Sequence, residues 1–342
     1  MHLGTSGFAG QAREQQWAAA PLVRRGPTAG AADDVSTPFP VSRTVDLGGP
    51  VHHVDHGGPA SSAPPLVCVH GLGGSHANWY DLAPLLAQTH RVHALDLAGH
   101  GRTPRAGRSA SVRGNRALLD RFLDEVVGEP AVLVGNSMGG TIALLEAAAA
   151  PEKVAGLVLI GPALPRMRSG RTDRALARRV ALCAVPGLAP RVLARRKERL
   201  GAERLVAETL ELTTADVTRV SAGMRRLAVE LLESGAAGPD VDAAYLEAAR
   251  SLGLLVTRAA PYRALIASLT TPGMVVQGEL DRLVPPGGVR QLDALQPGWP
   301  VHLLPGVGHV PQIEAPQVTA DLVLAWLAAL GQAGPTRLAG AS

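Results

Sequence analysis

Short apolar segments alternate with helical segments along most of this 342-residue chain, and this alternation restricts the possible folds more than any other feature. Six segments have the composition of buried strands: Leu66–His70, Arg91–Asp96, Pro130–Gly135, Val154–Ile160, Gly273–Gln277 and Val301–Leu304. Helical spacing of apolar residues follows most of them, an order typical of parallel strands joined by crossover helices. We therefore predict an α/β fold with a mostly parallel open sheet and helices on both faces.

The alternation stops between Pro162 and Ser268, where about a hundred residues have helical periodicity and hardly any strand signal. Because this segment follows the carboxyl end of a strand, we expect it to cover the sheet edge at which open α/β sheets bind ligands. The predicted organisation is a disordered leader at 1–42, a core at 43–162 and 269–332, an inserted all-helical cap at 163–268, and a flexible tail at 333–342.

Composition limits the compartment and the partners. Cys68 and Cys183 are the only cysteines, so no disulfide framework is implied and a cytoplasmic location is expected. The net charge is +4, but residues 163–199 hold eleven basic and two acidic residues, a local charge of +9. Solvated helix faces are one interpretation, and a surface for anionic membrane lipids or an acidic substrate is the other. No aromatic residues alternate with these arginines, which argues against nucleic acid.

The pentapeptide Gly135-Asn136-Ser137-Met138-Gly139 fits the pattern G-x-S-x-G and lies between a predicted strand and a predicted helix. This is the strand–turn–helix context of a nucleophile elbow, in which a tight turn exposes the serine at a helix N-terminus. Ser137 is therefore the candidate nucleophile. The alternative is a serine that only caps the helix.

A serine hydroxyl needs a base to take its proton, and a carboxylate commonly orients that base. His309 follows the last strand and precedes the terminal helix, so we predict that it is the general base. Asp281 lies in a turn after a strand, 144 residues after Ser137 and 28 before His309, and it completes the chain order Ser, Asp, His. Glu279 and Glu314 are the alternative acids.

The glycine-rich segment His70-Gly71-Leu72-Gly73-Gly74 follows the first long core strand. Its glycines permit backbone conformations in which N–H groups point at a ligand. We predict an oxyanion hole formed by the backbone N–H groups of Leu72 and Met138. The segment matches neither of the glycine patterns that bind phosphate. The predicted chemistry requires no metal and no organic cofactor.

Five segments, in this order, resemble motifs of the α/β-hydrolase family: VHGLGGSHANW, DLAGHGRT, GNSMGG, GELDRLVP and GVGHVPQIEAP. Thr103 stands where the second motif usually has serine. The resemblance extends from Val51 to Leu330 outside the predicted cap. It implies the α/β-hydrolase fold and a triad of Ser137, Asp281 and His309. Lipases and carboxylesterases with helical caps are the better functional match.

Other members of the family remain as alternatives. GNSMGG also resembles hydrolases that cleave carbon–carbon bonds in ring-fission (meta-cleavage) products, but those usually have tryptophan after the catalytic histidine, where this chain has Val310. Ser137 argues against haloalkane dehalogenases and typical epoxide hydrolases, which use aspartate at the elbow. The sequence favours a serine hydrolase that cleaves a carboxylic ester of a small or lipid-like molecule. A non-catalytic ligand-binding protein on the same fold is the alternative of another class.

Overall fold

The computed structural model describes residues 40–60, 63–165, 188–235, 238 and 240–333. Most of the predicted leader and nearly all of the predicted tail lie outside these ranges. Residues 166–187, which include Cys183 and six of the basic residues of the arginine-rich segment, lie outside them as well.

In the described part of the chain, eight strands form one sheet. They are β1 (Val41–Asp46), β2 (Pro50–Asp55), β3 (Leu66–Val69), β4 (Val92–Leu95), β5 (Ala131–Asn136), β6 (Val154–Ile160), β7 (Gly273–Gly278) and β8 (Val301–Leu304). Their spatial order is β1-β2-β4-β3-β5-β6-β7-β8, and all pairings from β4 to β8 are parallel. The predicted mostly parallel sheet is confirmed. Strand β4 lies on one side of β3 and β5 lies on the other, so the strand order reverses at β3. Open α/β sheets bind ligands at such a reversal, and a ligand crevice is therefore expected at the carboxyl end of β3.

The first two strands differ from the sequence prediction. β1 and β2 form an antiparallel hairpin, and β2 pairs antiparallel with β4. The predicted leader extended to residue 42, but β1 already begins at Val41. His52 and His53 lie in β2, which precedes the first strand that the sequence predicted. The side chains of β1 are almost all exposed, since it is an edge strand, and they therefore lack the apolar alternation from which strands are predicted.

His53 is a buried polar residue on one face of this hairpin. Its side chain is 1% exposed, and its ring meets the Phe122 ring edge-on at a centroid distance of 5.0 Å. Neither ring nitrogen has a hydrogen-bond partner among the described residues. Burial, and then repulsion from His93, lower the pKa of His53 to about 4. The folded protein therefore holds this imidazole neutral at pH values where a solvated histidine is protonated.

Ten α-helices are described. They are α1 (Ala83–Leu86), α2 (Val112–Phe122), α3 (Met138–Ala149), α4 (Leu188–Thr213), α5 (Ala222–Ser234), α6 (Val241–Thr257), α7 (Ala259–Ala267), α8 (Val289–Leu295), α9 (Pro311–Glu314) and α10 (Pro316–Ala333). Residues of α2, α3, α7 and α8 share an apolar core with one face of the sheet, and residues of α1 and α10 share a core with the other. Within β5, Leu133 belongs to the first core, whereas Val132 and Val134 belong to the second. The predicted helices on both faces are confirmed.

Helices α4 to α7 lie between β6 and β7, in the segment for which the sequence predicted a cap. Gly201 interrupts α4 with φ 71° and ψ 171°, so α4 is two helices joined at a kink. The last helix of the predicted cap packs as a core helix: Tyr262 and Ile266 of α7 are fully buried in the core that contains α3. The Tyr262 hydroxyl also donates a hydrogen bond of 3.0 Å to the carbonyl of Ala163, just after β6.

Within the described ranges, none of the helices combines the length and the apolar character that a membrane crossing requires.

Candidate active site

The segments that hold the predicted site residues follow neighbouring strands. The glycine-rich loop follows β3, Ser137 follows β5, Asp281 follows β7, and His309 follows β8. Since β3, β5, β6, β7 and β8 are parallel and adjacent in this order, their carboxyl ends share one edge of the sheet. This order brings residues together that are far apart in the chain.

Ser137 occupies a sharp turn between β5 and α3. Its φ of 53° and ψ of −114° are unusual for a residue with a side chain, and only Ala106 shares a positive φ among the described non-glycine residues. Such a conformation costs on the order of 1–3 kcal/mol and persists only where the surroundings enforce it. The Ser137 N–H donates to the carbonyl of Ile160 at 3.0 Å, and the Ala163 N–H donates to the Ser137 carbonyl at 3.2 Å. The end of β6 and the residues that follow it therefore hold the turn through both the N–H and the carbonyl of Ser137.

The two glycines of the pentapeptide are required by space. A Cβ at Gly135 would lie 2.6 Å from the backbone nitrogen of Gly140, at the start of α3. A Cβ at Gly139 would overlap the backbone carbonyl of Val69, at the end of β3. Strand β5 and helix α3 can therefore approach each other, and α3 can approach β3, only with glycine at these positions.

Asp281 and His309 form a buried hydrogen-bonded pair. The Asp281 Oδ2 lies 2.7 Å from His309 Nδ1, and the two residues are 4% and 5% exposed. The same oxygen accepts a hydrogen bond of 2.8 Å from Gln277 Nε2, and Oδ1 accepts from the backbone N–H groups of Leu283 and Val284 at 2.9 and 2.8 Å. Every acceptor direction of this carboxylate is thus used, which fixes its orientation towards the imidazole.

The turn that carries Ser137 is connected to His309 through Asn136. The Asn136 side-chain nitrogen donates to the carbonyl of Ile160 at 2.9 Å and to the carbonyl of His309 at 3.3 Å. Gly161 lies close to the imidazole as well, since a Cβ there would be 3.2 Å from His309 Nδ1. The residue before the candidate nucleophile therefore helps to hold the loop of the candidate base.

The predicted oxyanion residues lie beside this turn. A Cβ at Gly71 would be 3.2 Å from the Ser137 Cβ, so the loop that carries Leu72 packs directly on the elbow. Met138 is the first residue of α3, where helix N–H groups have no partner within the helix. In the described part of the chain, no backbone acceptor is found for the Leu72 N–H either. Neither N–H group therefore has a backbone acceptor among the described residues.

Comparison with known proteins identifies the family. Residues 64–316 match the sequence profile of the alpha/beta hydrolase fold family, which is about three quarters of the chain. The chain belongs to the α/β-hydrolase family. The fold and the order of its five motifs agree with this membership.

Individual relatives differ in the activity that their names state. The chain is 30% identical over 260 residues to the pimeloyl-[acyl-carrier protein] methyl ester esterase of Aeromonas hydrophila, covering 76% of this chain and 94% of that protein. It is also 30% identical over 302 residues to the dihydrolipoyllysine-residue acetyltransferase component of the acetoin cleaving system of Pseudomonas putida, covering 87% and 72%. The haloalkane dehalogenase DbeA of Bradyrhizobium elkani USDA94 superimposes with a TM-score of 0.72 at 22% identity, covering 86% and 99%, which shows the shared fold alone.

The two alternative acids of this α/β-hydrolase lie in different surroundings. Glu279 is exposed, and the described contact of its carboxylate is a long hydrogen bond of 3.4 Å from the Gly306 N–H. Glu314 is buried, but its carboxylate accepts hydrogen bonds from the backbone N–H groups of Ala215, Asp216 and Gly308. Of the three candidate acids, Asp281 is the one whose carboxylate contacts the His309 imidazole among the described residues.

Sequence reasoning missed a second buried network in this hydrolase. The Nδ1 atoms of His52 and His76 both lie 2.8 Å from Asp96 Oδ2, and the Arg102 N–H donates to the same oxygen at 2.9 Å. Burial alone would raise the pKa of Asp96, but the hydrogen bonds from both histidines hold it well below its usual range. These three side chains have a composition that suits a metal ion. Because both histidine nitrogens already lie within hydrogen-bond distance of the Asp96 carboxylate, we interpret these residues as the support of the turn after β4.

Proposed function

We propose that this protein is a serine hydrolase that cleaves carboxylic esters through an acyl-enzyme, with Ser137 as nucleophile, His309 as general base and Asp281 as the orienting acid. The observation that carries the proposal is the buried pair of Asp281 Oδ2 and His309 Nδ1 at 2.7 Å, next to a strained serine at the end of β5. A positive φ at a serine is strain of the kind found at functional sites. The relatives named as esterases support the same reaction class.

The geometry supports a two-step mechanism. With its Nδ1–H donated to Asp281, the His309 imidazole presents Nε2 as the basic nitrogen. Nε2 takes the proton of the Ser137 hydroxyl while Oγ attacks the ester carbonyl carbon, and the N–H groups of Leu72 and Met138 bind the oxyanion. The tetrahedral intermediate then expels the alcohol, which receives the proton from His309. A water molecule, deprotonated by His309, attacks the acyl-enzyme, and the second tetrahedral intermediate releases the carboxylic acid as His309 gives the proton to Ser137 Oγ.

Ester cleavage fits the surroundings of Val310 better than carbon–carbon cleavage does. Val310 follows the candidate base directly and is only 3% exposed. It packs in an apolar cluster with Ile313 and with residues of α4 and α5, including Leu210 and Met224. The position therefore contributes to the attachment of the helical segment, and it holds a small aliphatic residue where the ring-fission hydrolases usually have tryptophan.

The helical segment that precedes β7 supports a substrate site with an apolar wall. Ala244 of α6 lies against Gly99, and Tyr245 lies 3.1 Å from the position of a Cβ on Gly73 in the candidate oxyanion loop. We propose that the substrate enters between these helices and the sheet edge, and that small or lipid-like acyl groups bind there.

A two-part assay tests the proposed function. The protein is first incubated with a fluorophosphonate probe, which labels activated serines. Turnover is then measured on p-nitrophenyl esters from acetyl to palmitoyl, beside a coloured dienoate of the ring-fission type. Labelling with ester turnover supports the proposal, whereas bleaching of the dienoate faster than any ester would indicate carbon–carbon cleavage. Neither labelling nor turnover would indicate a non-catalytic ligand-binding protein.

We further propose that the arginine-rich part of the helical segment contacts an anionic surface such as lipid headgroups. Arg191, Arg195 and Arg199 are exposed and spaced by four residues along α4, which gives them one common helix face. Other basic residues of α4 are engaged, since Arg196 pairs with a glutamate of the same helix and Lys197 pairs with an aspartate of α6 at 3.3 Å. The contact therefore depends on the three arginines of the common face.

A further inference from the structure

Glu314 is a fully buried carboxylate close to the candidate base, and its contacts cross from the histidine loop to the helical segment. Its Oε2 accepts hydrogen bonds from the Gly308 N–H at 2.8 Å and from the Ala215 N–H at 3.0 Å. Its Oε1 accepts from the Asp216 N–H at 3.0 Å and lies 3.5 Å from the Arg219 guanidinium. A buried charge is stable only when it is fully paired, and here both oxygens are.

The two segments joined by Glu314 also contact each other directly. The His309 N–H donates to the carbonyl of Thr213, the last residue of α4, at 2.7 Å. The preceding N–H, that of Gly308, donates to Glu314, whose carboxylate also binds the residues that follow α4. A Cβ on Gly308 would lie 2.6 Å from the Ala215 nitrogen, a distance that no side chain tolerates. The backbone of the histidine loop therefore packs against the backbone of the segment after α4.

We propose that Glu314 is a positioning residue that fixes His309 against the helical segment, and that the turn at residues 213–216 is part of the support of the catalytic histidine. The inference rests on the proposed function of His309 as the base. A carboxylate suits this role because its two oxygens accept from N–H groups on both segments at once. The aspartate of the triad sets the rotation of the imidazole, whereas Glu314 sets the location of the backbone from which the imidazole extends.

Substitution of Glu314 by glutamine tests the proposal, because an amide has one oxygen and one NH2 group. In the place of Oε2 the NH2 group faces the N–H donors of Gly308 and Ala215, and in the place of Oε1 it faces the Asp216 N–H and the Arg219 guanidinium. The helical segment therefore loses at least one of its hydrogen bonds in either orientation, while the side-chain size is kept. We expect kcat for a short p-nitrophenyl ester to fall roughly 10- to 100-fold with KM within about twofold, since misplacement of a catalytic group by an ångström costs on the order of 10²-fold.

A second variant and a matched control keep the test decisive. Gly308→Ala forces the two segments apart without removing a charge, so we expect it to lower kcat to the same extent. It replaces Glu314→Gln in the test if that variant fails to fold. Asp81→Ala removes the hydrogen bond with Ser221, another contact of the helical segment with the core, far from the histidine loop in the chain. It is expected to leave kcat unchanged. Retention of wild-type kcat in folded Glu314→Gln, or an equal loss in Asp81→Ala, would overturn the proposal.

A proton NMR measurement separates this proposal from the proposed function. The Nδ1 proton of His309, hydrogen-bonded to Asp281, is expected to give a far-downfield signal in the wild type and in Asp81→Ala. In Glu314→Gln we expect this signal to broaden or disappear, because the imidazole no longer stays aligned. A sharp and unshifted signal in Glu314→Gln contradicts the positioning role even if the wild type hydrolyses no ester. If the wild-type protein turns over no ester, that result contradicts only the proposed function.

Discussion

The carboxylate of Asp281 has four hydrogen-bond donors around it, and substitution by asparagine would break this arrangement in a way that can be worked out from the structure. If the asparagine oxygen keeps the place of Oδ1, its NH2 group faces the NH2 group of Gln277 and the imidazole Nδ1. If the group is flipped, the NH2 group instead faces the backbone N–H groups of Leu283 and Val284. The first orientation leaves the imidazole to accept at Nδ1, so its proton moves to Nε2. His309 then presents an N–H to the serine instead of a lone pair.

The expected loss of turnover follows from that change of tautomer. In serine proteases, the corresponding change lowers kcat about 10⁴-fold while the geometry stays intact. For Asp281→Asn we expect a loss of roughly 10³–10⁴-fold in kcat, which corresponds to about 4–5.5 kcal/mol of transition-state stabilisation. KM is expected to change little, because the carboxylate does not touch the substrate.

The assay compares Asp281→Asn with Glu279→Gln on the same p-nitrophenyl ester, with circular dichroism and the melting midpoint measured for both variants. Glu279 is the matched control, since it follows the same strand but is exposed, and its described contact is the 3.4 Å hydrogen bond from the Gly306 N–H. Glu279→Gln is expected to lower kcat by less than about threefold, because surface changes that remove no packed contact have small effects. A larger loss from Glu279→Gln than from Asp281→Asn would refute the assignment of the acid.

Three further results are expected. Ser137→Ala should lower turnover roughly 10⁵–10⁶-fold with an unchanged melting midpoint, and activity within tenfold of wild type would remove the serine from the mechanism. Because the pKa of His53 is about 4 in the folded state and that of an unfolded histidine is about 6.5, its stabilising effect is complete above pH 6.5 and is lost as the pH falls towards 4. In His53→Phe, the free energy of unfolding from chemical denaturation should fall by roughly 2–3 kcal/mol less between pH 6.5 and pH 4 than it does in the wild type. An identical pH dependence of the two proteins would contradict this expectation. Replacing Arg191, Arg195 and Arg199 together by Gln should weaken co-sedimentation with anionic vesicles, because each basic residue contributes about 1 kcal/mol to binding at an anionic surface. Equal binding of the wild type to neutral and anionic vesicles would leave these arginines as a solvated face.

The core strands and the elbow could be predicted because their signals are local. Strand β5, the pentapeptide around Ser137 and helix α3 are consecutive, and each has the composition that its structure requires. The same is true of the turns at Asp281 and His309, each of which directly follows a strand. The fold class and the family were confirmed on these segments.

What the sequence did not reveal depends on contacts between residues far apart in the chain. Strand β1 was missed because an exposed edge strand has no apolar face, and α7 was assigned to the cap because helical periodicity does not tell which layer a helix joins. Glu314 was considered only as a replacement for Asp281. Apart from Gly308, its partners are Ala215, Asp216 and Arg219, which are about a hundred residues away, and most of its contacts are with backbone groups, which have no sequence signature.

The identity of the acylated residue is the most direct test of the proposed mechanism. The wild-type protein is mixed rapidly with a p-nitrophenyl ester, the reaction is quenched with acid during the burst of p-nitrophenol, and the digested protein is analysed by mass spectrometry. The mechanism predicts one acyl group per chain, on the peptide that contains Ser137, and no adduct in Ser137→Ala. An acyl group on any other residue, or ester turnover by Ser137→Ala at the wild-type rate, would contradict it.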